Sequence, residues 1–121
     1  MCQKKTAFKS RDRWLRAHYR CRNCRSIPRE RAIFNVMDNY FAGWEKRRLH
    51  EIAPANDYFA GRSVNYSHSQ YFPDGKTGVI KCNRIENIEQ LTFADNSLGF
   101  IVCLDMLEHI FDPGAAVREL A

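Results

Sequence analysis

The sequence contains no long hydrophobic run. No stretch of about 18 apolar residues occurs in its 121 residues, and a transmembrane helix needs such a stretch. The N-terminus, MCQKKTAFKSRDR, lacks the apolar core of a secretory signal. Internal repeats and low-complexity tracts are also missing. These absences predict no membrane partner and a cytoplasmic location, and the length predicts a single domain.

The five cysteines of the chain are unevenly spaced, which argues against a disulfide framework. Cys21 and Cys24 form a C-x-x-C pair, half of a four-ligand zinc site, and Cys2 is the nearest third thiol. A redox pair is a weaker interpretation, because no predicted strand leads into it and no predicted helix starts at it. Ordinary reduced cysteines are the remaining alternative.

Positive charge is concentrated at the N-terminus. Residues 1–31 carry eleven Lys or Arg against two acids, a balance of +9, whereas residues 32–121 have a balance of −4. A basic segment of this kind suits a nucleic acid or an acidic partner. The alternative is a solvated basic surface on a small lobe supported by a metal.

Apolar spacing predicts one clear helix that begins at Pro28. Proline is favoured in the first turn of a helix, and Glu30 places an acid there. Gly43 is the predicted C-terminal cap. The predicted buried stripe consists of Ile33, Val36, Met37, Tyr40, Phe41 and Trp44.

Two short segments predict strands of a parallel sheet. Residues 48–54 are the candidate first strand, and residues 98–104 form a nearly continuous apolar run, typical of a strand buried on both faces. Asp105, Glu108 and His109 follow that run directly. Ligands of open α/β sheets bind beyond the carboxyl ends of the strands. By themselves, however, these residues are compatible with any α/β domain.

Residues 85–113 resemble the central segment of class I S-adenosylmethionine-dependent methyltransferases. The matching segments are EQLTFADNS at 89–97, the strand after it, and LEHIFDP at 107–113. The segments around the cysteines, CRSIPRERA at 24–32, HEIAP at 50–54 and YSHSQYFP at 66–73, are similar to the type 11-like subfamily that carries an N-terminal zinc-knuckle segment. The resemblance runs in order from Cys2 to the end of the chain.

This resemblance implies an α/β fold with a Rossmann-like parallel sheet, preceded by a small zinc-ribbon-like segment. We expect a basic zinc-knuckle-like segment at 1–27 and the N-terminal part of the methyltransferase domain at 28–121. The first crossover, 56–62, is too short for a full helix. Because the family continues for three more strands, we expect a C-terminally truncated chain that is inactive alone, with a sheet edge open to self-association.

The resemblance also implies a site for S-adenosylmethionine. Glu51 would lie near the methionine moiety, and Ala53 occupies the first glycine position of the family's cofactor loop. Ser69 or Gln70 would contact the ribose. Adenine would lie near Asn87, at a position where the family often has Asp, and near the backbone of Ile88. The predicted cofactor-binding residues are therefore Glu51, Ala53, Ser69, Gln70, Asn87 and Ile88.

The predicted catalytic residues are Asp105 and His109, since the family places this end of the sheet beside the transferred methyl group. Histidine titrates near neutral pH, so His109 is either a general base or a structural partner of Glu108. The predicted zinc ligands are Cys2, Cys21 and Cys24, and the fourth cysteine of the family would fall one position before Met1.

Three functions therefore compete. The first is an S-adenosylmethionine-dependent methyltransferase with an unknown methyl acceptor. The second is a non-catalytic module that binds nucleic acid, through the basic N-terminal segment, or protein. The third is an inactive fragment.

Overall fold

The computed structural model describes residues 1–2, 4–71, 78–80 and 83–121. The chain divides into two compact units, Met1–Ala42 and Gly43–Ala121. The expected boundary after residue 27 stays a prediction. The end of the YSHSQYFP segment, at 72 and 73, lies outside the described residues.

The first unit combines a small antiparallel sheet with two helices. Strand β1 (Phe8–Lys9) pairs with β2 (Arg20–Cys21), and helix α1 (Leu15–His18) lies between them in sequence. The longer helix α2 (Pro28–Tyr40) follows. It begins where the sequence predicts, because Pro28 occupies the first turn and the Glu30 carboxylate accepts a hydrogen bond from the Ile27 N–H at 2.9 Å.

The predicted end of α2 is wrong, and its predicted buried stripe is correct only for Met37 and Trp44. The helix ends at Tyr40, and Gly43, with φ +75°, instead precedes a 3₁₀ helix at Trp44–Lys46. Because the helix stops there, Trp44 does not continue its 3.6-residue period. The buried residues of α2 are Phe34 and Met37. The predicted stripe residues Val36, Tyr40 and Phe41 are exposed.

The second unit is built on a five-stranded sheet. Its strands are β3 (Arg48–Ile52), β4 (Asn65–Gln70), β5 (Gly78–Ile80), β6 (Asn83–Ile85) and β7 (Phe100–Cys103), in the order β5-β6-β4-β3-β7. Strands β6, β4, β3 and β7 are parallel, and β5 runs antiparallel to β6. A 3₁₀ helix (Leu107–His109) and helix α3 (Pro113–Leu120) complete the unit.

The parallel strands confirm the predicted Rossmann-like α/β fold. Numbered along the chain, they lie in the order 3-2-1-4, which corresponds to four of the six strands of the Rossmann order 3-2-1-4-5-6. Both predicted strands are present, as β3 and β7. Residues 53–64 contain turns but no helix, as expected for the short crossover.

One face of the sheet is covered by α3 and the segment before it. Ile52, Ile88 and Ala116 form a buried cluster. The side chain of Asp112 opens α3 by accepting a hydrogen bond from the Ala115 N–H at 2.9 Å. None of the helices in the described part of the chain has the length and apolar character needed to cross a membrane.

Candidate functional site

The carboxyl ends of β3 and β7 meet where the strand order reverses. Ile52 pairs with Cys103 at this edge, and in a doubly wound sheet this reversal creates the ligand crevice. The chain leaves both strands in the left-handed conformation, with φ +51° at Ala53 and φ +54° at Asp105. Such conformations are strained for residues other than glycine and concentrate at functional sites. Sequence alone gave no signal for this shared strain.

The loop after β3 borders an open cleft of about 420 Å³. Its lining residues are Pro54, Ala55, Asn56, Asp57, Ala60, Tyr66, His68 and Gln70. The loop is shaped by an Asx turn, in which the Asn56 side chain accepts a hydrogen bond from the Tyr58 N–H at 3.1 Å. Of the two residues predicted at the ribose, Gln70 is exposed and lines this cleft.

Glu51 lies behind this cleft rather than in its lining. The side chain is buried, and its carboxylate accepts a hydrogen bond from the Tyr66 hydroxyl at 2.8 Å. Burial, followed by the bond to Glu51, raises the pKa of Tyr66, so the phenol stays protonated and continues to donate. The geometry therefore links Glu51 to the cleft through Tyr66.

A smaller cleft of about 80 Å³ lies at the ends of β3 and β6. It is lined by Ile52, Tyr71, Glu86, Asn87, Ile88, Glu89, Met106, His109, Ile110 and Phe111. Ile88 is buried, and the Asn87 amide oxygen accepts a hydrogen bond from the Glu89 N–H at 3.0 Å. An amide oxygen has two lone pairs and can accept a second bond. The structure thus places Asn87, Ile88 and His109 around one cavity.

Ser69 is fully buried and belongs to a polar network around His50. The Ser69 hydroxyl lies 2.9 Å from His50 Nε2, and the Ser67 hydroxyl lies 2.8 Å from Nδ1. The ring also packs edge-on against Phe93, with centroids 4.6 Å apart. Burial, with a smaller contribution from Arg84, lowers the pKa of His50 to about 4. His50 is therefore neutral at physiological pH.

A second buried network surrounds Glu86. Its carboxylate pairs with the Arg84 guanidinium and accepts hydrogen bonds from the Thr92 N–H at 2.9 Å and the Thr92 hydroxyl at 2.6 Å. Burial opposes ionisation of Glu86, but these bonds outweigh it and lower the pKa. Arg84 also stacks over Phe93, with its guanidinium 3.9 Å from the ring centroid. The network anchors the segment that leads into Asn87 and Ile88.

Sequence analysis missed both networks. The available signal was the alternation of polar side chains along strands, Ser67 with Ser69 and Arg84 with Glu86. Alternation puts each pair on one face of the sheet. Ser69 and Glu86 are the buried members of these pairs, and buried polar groups need partners.

The two predicted catalytic residues lie after β7. Asp105 is exposed in its left-handed turn, and His109 ends the 3₁₀ helix Leu107–His109. His109 lines the small cleft, whereas Asp105 is outside its lining. Their catalytic roles stay predictions.

In the first unit, three cysteines converge. The sulfur atoms of Cys2, Cys21 and Cys24 all lie within 4.8 Å of one another, and those of Cys2 and Cys21 are 3.7 Å apart. Thiolates on a tetrahedral zinc ion, with Zn–S bonds of about 2.3 Å, lie about 3.8 Å apart. The cluster therefore has the spacing that a metal ion requires.

The surroundings of the cluster stabilise thiolates. The N–H groups of Asn23 and Cys24 point at Cys21 Sγ, at 3.4 and 3.5 Å. Arg31 Nη1 lies 3.8 Å from Cys2 Sγ and 3.9 Å from Cys24 Sγ. Although burial raises the pKa of Cys24, its bond to Ser26 and contacts with Cys2 outweigh burial and lower that pKa to about 6. Such thiols suit a metal site.

A family model described as "Methyltransferase domain" matches residues 60–121. This match covers just over half of the chain, from the turns before β4 to the end of α3. The chain belongs to this methyltransferase family. No curated protein and no solved structure gives a significant match.

The family assignment confirms the resemblance of residues 85–113 to class I methyltransferases, whereas the zinc-knuckle segment is suggested by the cysteine cluster alone. Methyltransferases of this family use S-adenosylmethionine, so membership implies that cofactor. The family match begins after the loop at 53–57. A role of this loop in the domain is therefore supported by its geometry at the end of β3.

Proposed function

We propose that this domain binds S-adenosylmethionine across the carboxyl ends of β3, β4 and β6 and transfers its methyl group to an acceptor. The observation that carries the proposal is the 3-2-1-4 order of the parallel strands, with both clefts at this edge. The clefts are lined by consecutive residues, Gln70 and Tyr71, and so follow one another along the edge.

The residues of the two clefts fit the parts of the cofactor. The amide of Gln70 is exposed where the ribose would lie, and buried Ile88 beside the polar Asn87 provides an apolar wall for adenine with an acceptor at its rim. The methionine moiety would lie along the loop after Ala53. Glu51 would act there indirectly, through the hydrogen bond that its carboxylate accepts from the Tyr66 hydroxyl. Ser69 would not contact the ribose. Its buried hydroxyl would instead stabilise this edge of the sheet through its hydrogen bond with His50.

When bound, the cofactor would supply a methyl group already activated on a sulfonium. The protein then mainly has to position the acceptor for in-line attack. His109 would accept the proton that an acceptor hydroxyl or amine loses, and Asp105 would lie beside the reacting groups. His109 as a structural partner of Glu108 remains the alternative. An unchanged rate of methyl transfer in His109→Ala, measured in a chain extended through the further strands of the family, would establish it.

Calorimetric titration with S-adenosylhomocysteine tests the binding site. We expect saturable one-to-one binding that Asn87→Ala and Gln70→Ala each weaken about fivefold or more, as for loss of a hydrogen bond of about 1 kcal/mol. Asn65→Ala is the matched control, because Asn65 begins β4 at the opposite edge of the sheet and bonds to the Lys46 carbonyl. Equal effects of Asn65→Ala and Asn87→Ala would contradict the placement.

The same proposal assigns zinc to Cys2, Cys21 and Cys24. The spacing of the sulfurs, the N–H groups aimed at Cys21 and the guanidinium of Arg31 support it. A water or another donor would complete the four ligands of the ion. Self-association along the edge strand of the sheet also stays a prediction.

A further inference from the structure

The unit Met1–Ala42 contains a cleft of about 580 Å³ that is dominated by positive charge. Its lining residues are Lys9, Ser10, Arg11, His18, Arg20, Cys21, Arg22 and Arg25. All five Lys and Arg residues are exposed, and no carboxylate occurs among the described residues of the lining. The His18 ring is bonded to Asp12 at 2.7 Å. The cleft therefore presents a concentrated positive field to an anion.

The register of the small sheet places two of these cations opposite each other. Lys9 in β1 pairs with Arg20 in β2. Like charges directly opposite across two antiparallel strands destabilise the pairing. A phosphate group bound between the two side chains would turn this repulsion into attraction.

A third cation of the cleft occupies a backbone position that suits glycine. Arg25 has φ +65°, in the left-handed region that glycine adopts without cost and that side chains disfavour. Arg25 lines the same cleft as Lys9 and Arg20. An outlier of this kind at a strongly basic cleft points to a binding role for the side chain.

Aromatic side chains accompany the basic residues. The Trp14 side chain is 61% exposed, and in sequence it lies between Arg11 and His18, which both line the cleft. Phe8 and Tyr19 stack with ring centroids 5.0 Å apart. Exposed aromatic rings among basic residues are the combination by which proteins hold unpaired bases and their phosphates.

We propose that this basic cleft binds the phosphates of a single-stranded nucleic acid and that Trp14 stacks on one of its bases. The clustered cations account for the backbone contacts, and the exposed indole favours unpaired bases over a duplex. The residues of this site all lie in Met1–Ala42, whereas those of the proposed cofactor site lie in Gly43–Ala121. Failure of nucleic-acid binding and failure of S-adenosylhomocysteine binding are therefore separate outcomes.

Tryptophan fluorescence provides a direct test with the zinc-loaded, reduced 121-residue chain. The protein would be titrated with oligouridylate and oligothymidylate of about 12 nucleotides, a length within the usual site size, and with a duplex of equal length. Trp14 is exposed whereas Trp44, the other tryptophan, is 1% exposed. Quenching on binding should therefore come from Trp14 and be absent in Trp14→Phe.

Substitutions in the cleft decide which residues bind. Arg25→Gly removes a cation while relieving its left-handed backbone, so loss of folding would not explain a loss of binding. We expect Arg25→Gly and Arg22→Ala each to weaken binding about fivefold or more at low salt and to reduce the logarithmic salt slope by about 1. Arg29→Ala is the matched control, since Arg29 is an exposed cation of α2 outside this lining.

Three results would overturn the proposal. They are no binding at low salt, equal losses in Arg25→Gly and Arg29→Ala, and equal affinity for the duplex without quenching of Trp14. The first two would reject the cleft as the site, and the third would reject recognition of unpaired bases.

Discussion

The two units of this protein are stabilised by different means. Met1–Ala42 buries few large apolar side chains, and its chain converges on three thiols and the guanidinium of Arg31. Gly43–Ala121 instead has a five-stranded sheet with four parallel strands, an apolar cluster under α3, and two polar networks around buried His50 and Glu86. Chains of about 40 residues usually need a metal or disulfides to fold, whereas the larger unit can rely on its core.

This difference separates two kinds of dependence. The small unit should depend on metal and on thiolate chemistry. The sheet unit should depend on pH through its buried His50 and Glu86, and on backbone strain through Ala53. Four perturbations test whether the two units depend on these different factors. They run from removal of the metal, which should affect a whole unit, to relief of one strained backbone angle.

Removal of zinc should have the largest effect. Purified, reduced protein should carry bound zinc, and Cys21→Ser should abolish zinc binding. The variant retains only two thiolate ligands, which bind the ion less tightly than three. Hydrogen exchange should then show loss of protection across Met1–Ala42 and little change in β3 and β4. Cys103→Ser is the matched control, as its thiol lies outside the cluster. Fresh protein without zinc would reject the assignment.

Acidification should destabilise the sheet unit through His50. An unfolded histidine protonates near pH 6.5 and the folded one only near pH 4, so between these values the unfolded state binds more protons. Stability therefore falls as the pH is lowered through this window, by up to about 3 kcal/mol at 1.36 kcal/mol per pKa unit.

Urea unfolding of the wild type and of His50→Gln measures this contribution. The variant should be less stable at pH 7 but should lose less stability between pH 6.5 and pH 4. His109→Gln provides the control, since His109 is an exposed histidine of the same unit and lies outside the His50–Ser67–Ser69 network. Parallel pH profiles for the wild type and His50→Gln would contradict the buried neutral assignment.

Loss of the Glu86 charge should cost somewhat less. Glu86→Gln would leave Arg84 without its carboxylate partner, and we expect a loss of about 2 kcal/mol, below the range for fully buried pairs because Arg84 is partly exposed. The lowered pKa of Glu86 means that its contribution is present above the carboxylate's unfolded pKa and disappears as the pH falls through the folded one. Glu108→Gln, at an exposed site, should change stability by less than about 0.5 kcal/mol.

Relief of strain at Ala53 should have the smallest effect. Ala53→Gly removes the Cβ from a left-handed residue and should stabilise the sheet unit by up to about 1 kcal/mol, because the strain relieved exceeds the entropy that glycine adds to the unfolded chain. Ala55→Gly is the control and should destabilise, since Ala55 is outside the positive-φ residues. Thermal unfolding would compare the two variants, and equal changes in Tm would contradict backbone strain at Ala53.

Much of the architecture follows from local patterns. The apolar run at 98–104 predicted β7, and the sequence around Pro28 predicted the start of α2. These signals work because strand burial and helix capping depend on neighbouring residues. The resemblance to methyltransferases added the Rossmann-like arrangement of the parallel strands, which no local pattern contains.

The remaining features depend on contacts between distant residues. The burial of Ser69 against His50 follows from the register of β3 and β4, which the sequence of either strand does not reveal. The strain at Ala53 and Asp105 likewise arises from the sharp exit of each strand. The exposed residues of the predicted α2 stripe, Val36, Tyr40 and Phe41, show the same limit. Apolar spacing alone does not predict where the helix ends.

Hydrogen exchange with and without S-adenosylhomocysteine tests the central claim, a cofactor site at the carboxyl edge of the sheet, most directly. The account predicts added protection in two separate segments, residues 53–57 and 86–89, with Met1–Ala42 unchanged. Protection confined to Met1–Ala42, or no protection at saturating S-adenosylhomocysteine, would contradict it.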